Sequence, residues 1–217
     1  MDGETLIDDV REAKATRLDR LGGTKWLLAA TGADLETERV LRVAAASETA
    51  AAETFERWAD DEGNDRAREA FASVAALERD HAARVVDHLD GESESEVDFE
   101  PEAESGALHE FLRGLDGTPE RVGAGLVGRP LVSDRTTVQI VSFFVNEADE
   151  RRADLFRELR TETDELLDEG ATVLDGVCTV DDDWERARAA ATGTIDIAYD
   201  EFADDLGAMG LDPRSIC

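Results

Sequence analysis

Apolar residues recur along most of this chain at steps of three and four, the period of a helix with one buried face. Leu41, Ala44, Ala51, Phe55 and Trp58 mark one stripe, and Phe71, Val74 and Val85 a second. Trp184, Ala187, Ala191, Ile195, Ala198, Phe202, Leu206 and Met209 mark a third. The pattern predicts helices over about 3–20, 35–61, 64–90, 118–146, 149–176 and 182–209, with a short one at 108–115. Gly22-Gly23 and Gly63 read as stops, Asn64 as a cap, and Thr118-Pro119 as a start. The stretch GESESEVDFEPEAESG, residues 91–106, has little to bury and reads as exposed crossover, within a linker of 91–117. No stretch alternates as a strand would.

The expected fold class is all-α. Helix pair, crossover, helix pair is the connectivity of a four-helix bundle with one long connection. A helical extension at 1–34 and an extra helix at 182–209 would pack outside it, in a single domain over 1–217. One junction stays open. FFVNEADERR, residues 143–152, holds neither Gly or Pro. The chain either turns near 148, with Asn146 or Asp149 as a cap, or runs through as one long helix with 182–209 as the fourth bundle helix.

Polar residues break the apolar stripes at a few places. Glu48 stands in the first stripe, and Glu78 and His81 fill two beats of the second. Glu48 lies fifteen residues before Gly63 and Glu78 fifteen after it. In an antiparallel hairpin turning at Gly63, the two acids therefore face each other, with His81 one turn along from Glu78. Buried carboxylates and imidazoles need partners. Two carboxylates and one nitrogen suit a divalent or trivalent ion such as iron or manganese. The plainer alternative is an arginine reaching across the bundle to Glu48, with Glu78 and His81 hydrogen-bonding locally. His88 reads as a rim residue, and His109, beyond the linker, as solvated.

Composition narrows the function classes. The formal net charge is -30, from 53 acidic and 23 basic residues. Nothing resembles a basic patch, so a nucleic-acid partner is not expected. With 41% hydrophobic residues and regular periodicity, disorder is not expected either. Acidity spread along the whole chain predicts a salt-adapted, halophilic protein of the cytoplasm, where solvent ions screen the self-repulsion. The acidic start MDGETLIDDV lacks the apolar core of a signal peptide, and VGAGLVGRPLV, the most apolar run, is interrupted by Arg129 and Pro130. No membrane span is expected. Cys178 reads as a small buried residue and Cys217 as an exposed thiol. Two cysteines make no zinc ribbon.

The segment SETAAAETFERWADDEGNDRAREAFASVAALERDHA resembles the first helical hairpin of rubrerythrin and ferritin-like proteins; the resemblance covers residues 37–90, and the crossover and following helices agree in layout only. The resemblance implies a ferritin-like bundle holding iron between carboxylates and histidines, and reaction with peroxide, dioxygen or ferrous iron. Carried over, Glu48, Glu78 and His81 match the metal ligands of the first half. The second half departs from the pattern, with no Glu-x-x-His after residue 90. A turn near 148 makes Asp134 and Glu162 the symmetric counterparts, in stripes with Leu131 and Val138 and with Leu159 and Leu166. Iron, mononuclear or dinuclear, is the expected cofactor, with manganese as an alternative, or none in a degenerate site. The expected partners are a second copy of the chain and, for a redox-active centre, an electron-donor protein. The competing expectation is a degenerate ferritin-like bundle without catalysis, an interaction or scaffold protein whose inward carboxylates are held by arginines.

Overall fold

The computed structural model describes residues 1–89 and 106–213. Among them every regular element is helical: α1 (Gly3–Leu21), α2 (Lys25–Thr31), α3 (Thr37–Asp61), α4 (Asp65–Val86), α5 (Ala107–Arg113), α6 (Thr118–Gly123), a π-helical turn (Ala124–Gly128), α7 (Arg129–Asn146), α8 (Glu150–Val177) and α9 (Asp181–Ala208). Residues 91–105 of the expected crossover and Cys217 lie outside the described residues. No helix among those described is long and apolar enough to cross a membrane.

Local chemistry explains most boundaries. Asn64 caps α4 by accepting from the Ala67 N–H at 3.1 Å. Asp149 caps α8 by accepting from the Arg152 N–H at 3.0 Å, and Ala148 takes a left-handed φ of 57°. The junction near 148 is therefore a turn between two helices. Thr118 begins α6 after the cap residue Gly117, and its hydroxyl donates to Glu62 Oε1 at 2.8 Å.

α3 and α4 form one tightly packed hairpin, and α7 and α8 a second. Phe55, Trp58 and Phe71 bind the first together, with ring centroids 5.3, 6.1 and 5.3 Å apart pairwise. Two polar contacts fix the relative directions. Arg152, at the start of α8, donates to the His88 carbonyl at 3.0 Å, so α8 begins where α4 ends. Arg121, in α6, donates to Asp61 Oδ1 at 2.8 Å, so the 118–146 rod begins at the α3–α4 turn. That rod and α4 thus run the same way. α8 packs on α4, while α1 and α9 pack against each other and α9 covers α6 and the π turn. Lys14 of α1 reaches Asp196 of α9 at 2.6 Å.

α6, the π turn and α7 are continuous, but not uniform. Pro130 lacks the N–H an α-helix needs, and its ring crowds the carbonyl of Leu126. The widened turn absorbs this: the Arg129 N–H reaches back five residues to the Ala124 carbonyl. Glycines let neighbours close in on it. A Cβ on Gly128 would lie 2.7 Å from the Ala191 carbonyl of α9, and one on Gly125 would lie 2.7 Å from the Trp58 ring. Residues 121–132 are buried without interruption.

The apolar core falls into two clusters. One holds Phe55, Trp58, Phe71, Val74, Leu126, Val127, Leu166 and the faces of α1 and α9. The other holds Val40, Leu41, Ala44, Val85, Ile140, Phe144, Phe156 and Leu159. Between them in sequence on α3, α4 and α8 stand Glu48, Glu78, His81 and Glu162, and Arg129 stands at the start of α7 among residues of the first cluster, bonded to Glu48 and Glu78.

Candidate functional site

Those five side chains form a polar layer across the core. α3 supplies Glu48, one turn on from Ala44 and Ala45; α4 supplies Glu78 and His81, between Ala75 and Val85. The structure brings these three together: one donor atom from each lies within 4.8 Å of the others. Glu78 and His81 are fully buried. The hairpin register fixed by the turn at Gly63 accounts for this.

Arg129 is the residue that sequence reasoning did not assign to the site. It is 5% exposed, at the junction of the π turn and α7. Its guanidinium grips Glu78 with two bonds, Nη1 to Oε1 at 2.6 Å and Nη2 to Oε2 at 3.1 Å. Nη2 also donates to Glu48 Oε2 at 3.1 Å. The fork geometry suits a carboxylate better than a lysine would. A signal for it existed: one arginine within the otherwise apolar run VGAGLVGRPLV.

The two acids divide one proton between them. Burial, then the adjacent Glu78 charge and their shared hydrogen bond, push Glu48 well above the usual carboxylate range, against the pull of Arg129. Burial also raises Glu78, but Arg129, the hydrogen bond from Glu48 and nearby His81 together hold it below that range. Arg129 thus faces one carboxyl, Glu48, whose protonated form the site favours, and one, Glu78, whose ionised form it favours. Burial opposes the Arg129 charge, and Glu78 and Glu48 more than restore it.

His81 faces outward through one nitrogen. Its Nε2 lies 2.7 Å from Glu162 Oε2. Burial raises Glu162, but Arg84 and His81 hold it below its ordinary value, so it accepts as a carboxylate. Nε2 therefore carries the proton. Nδ1 is buried and has no hydrogen-bond partner among the described residues. Both Glu162 oxygens also accept from Arg84 Nη1, at 3.0 and 2.9 Å.

Of the sequence candidates, Glu162 joins the layer as the partner of His81. Asp134 is not in the converging group. It accepts from Arg160 Nε at 2.7 Å, partly exposed on the α7–α8 flank. The buried positions of α7 are Arg129, Pro130, Leu131, Val132, Thr136, Thr137, Ile140 and Phe144. The apolar count through Val138, Val141 and Val145 is out of phase with them, because the π turn adds a residue upstream.

His109 departs from expectation. Instead of being solvated it is 8% exposed, and its Nδ1 has no partner among the described residues. Burial, then Arg129 and Arg113, push its pKa down to about 3, so it stays neutral beside the guanidinium. Cys178 is buried, and burial raises its thiol to about 11, which makes it unreactive.

The donor set fits one cation, and Arg129 is that cation. A two-metal centre fits poorly, because the second hairpin sends no free carboxylate inward: Glu162 is bound to His81 and Arg84, and Asp134 to Arg160. The chain matches no protein-family model, no curated protein and no solved structure.

Proposed function

We propose that this chain is a ferritin-like bundle that works without a resident metal, as a non-catalytic interaction or scaffold protein adapted to high salt in the cytoplasm. Two antiparallel hairpins, with α4 and the 118–146 rod running the same way, support the ferritin-like part, as does the resemblance of residues 37–90 to the rubrerythrin hairpin. The observation that carries the functional part is Arg129, placed 2.6 Å from Glu78 and 3.1 Å from Glu48. A guanidinium there supplies the positive charge an iron would supply, and it repels any second cation at the same oxygens. The test is elemental analysis of protein purified in molar salt and then incubated with ferrous iron, manganese or zinc. The expected result is substoichiometric metal. One tightly held ion per chain overturns the reading.

A second reading has its own support. The Glu48, Glu78 and His81 donors converge, and His81 presents a free nitrogen while a carboxylate holds the other, as metal-bound histidines do. On that reading the chain is a rubrerythrin-type metal protein, an iron-dependent oxidoreductase of peroxide, dioxygen or ferrous iron. It requires Arg129 to leave the carboxylates. Peroxide consumption or ferrous oxidation above that of a Glu78→Gln variant would favour it.

A further inference from the structure

We propose that Arg129 is a built-in plug: when its side chain is shortened, Glu48, Glu78 and His81 take one divalent transition-metal ion in its place. The inference rests on the metal-free reading above and says what the plug closes.

Three observations carry it. The guanidinium contacts both acids, so its removal leaves carboxylate oxygens facing a buried space with no positive charge. A small ion with two or three coordinated groups is the chemistry that answers that need. Next, one donor atom from each of the three residues already lies within 4.8 Å of the others. Donors on one ion at bonds of about 2.1 Å stand at most about 4.2 Å apart, so at most a small closing movement is required. Finally, Glu162 fixes the ring of His81 from outside, leaving Nδ1 buried and unpartnered among the described residues. An imidazole oriented by a carboxylate, with its other nitrogen free, is prepared to bind a metal. One nitrogen with carboxylates favours manganese, iron, cobalt or zinc over calcium or magnesium. Glu162 is here a positioning residue, acting through His81. His109 is not in the converging group and has no part in the site.

The experiment compares the unaltered chain with Arg129→Ala and Arg129→Gln. Each is stripped with chelator in molar salt and titrated with cobalt(II) and manganese(II). Bound metal is counted by elemental analysis, and the cobalt geometry is read from its visible spectrum. The expected result is one ion per chain in both variants and none in the unaltered chain. Adding Glu162→Gln should weaken binding about 10–100-fold while leaving the number bound and the cobalt spectrum in place. Adding His81→Gln should change the spectrum, because a nitrogen ligand is lost. A variant that unfolds when stripped should refold on addition of metal. Folded variants that bind no more than the parent overturn the plug, as do variants that stay unfolded with metal. So does binding that survives Glu78→Gln with His81→Gln. Metal in the unaltered chain overturns this inference and the metal-free reading together. An empty parent with empty folded variants overturns the plug alone.

Discussion

The two helical hairpins meet the same polar layer with opposite chemistry. The α3–α4 hairpin sends in two acids and an imidazole, all toward one point. The α7–α8 hairpin sends in a guanidinium, plus a carboxylate that stops at the imidazole's outer edge. Both are antiparallel pairs with similar turns, so topology alone does not decide which side chains face the interior. Helical phase does. In α3 and α4 an unbroken α-helix keeps the inward positions at regular steps. In the 118–146 rod, the π turn resets the count just before Arg129. One half offers acids, and the other supplies the cation that grips them.

The largest test of that complementarity is to remove the cation. Arg129→Ala leaves an ionised Glu78 buried without its partner and should cost about 3–5 kcal/mol at neutral pH. Denaturant unfolding in high salt and without added metal would measure it. A loss well under that range would mean the guanidinium is not holding the layer.

Removing the anions one at a time should behave differently from removing both. With Glu78→Gln, Glu48 is freed from its anionic neighbour and can ionise against Arg129, so it replaces the lost charge. With Glu48→Gln, the ionised Glu78 remains. The double variant strands Arg129 and should lose more than the two single losses added, by about 1–3 kcal/mol. Strict additivity in a double-mutant cycle would show that the acids do not share one proton.

The pH profile sharpens the same point with a smaller effect. Glu48 is raised in the folded state, so it costs nothing below its unfolded value. As pH rises from the ordinary carboxylate range through the raised value, stability falls. Glu78 is lowered, so its contribution is present above the ordinary range and is lost as pH falls through its own lowered value. Glu48→Gln should therefore become progressively more stable than the parent toward alkaline pH. Thermal melts across the pH range would check this, and parallel curves would count against it. The smallest effect belongs to Asp134→Asn. It breaks a partly exposed pair with Arg160 and should cost no more than about 1 kcal/mol.

Much of this architecture was legible in the sequence, for reasons particular to each element. Half-buried helices such as α3, α4 and α9 advertise their inner face, because polar residues mark the outer one. Gly63 set a symmetric register, and so Glu48 and Glu78 could be paired by counting. Asp149 could be read as a possible cap, though only the structure chose the turn over a continuous helix. The 118–146 rod hid its phase for a physical reason. From Arg121 to Val132 every residue is buried, against α9, α8 and the first hairpin, so apart from its two arginines the run is apolar or glycine throughout and carries no period. A stripe counted outward from such a run has no anchor. It placed Asp134 inside and passed over Arg129. His109 was misread because the short α5 around it gives no helical period to count. The acidic surface also hid the charge balance within, since 53 acids make an inward arginine easy to overlook.

The widened turn also makes the interior sensitive to length rather than to spelling. Removing one codon from the stretch encoding residues 124–128 would advance every later position of the rod by about 100°. The place four residues beyond Arg129, now held by Ser133, would pass to Asp134, while Pro130 would inherit the place of the arginine. A deletion that small would take the interior's positive group out of its place opposite Glu78. A lineage could thus unseal this core without substituting a single amino acid in it.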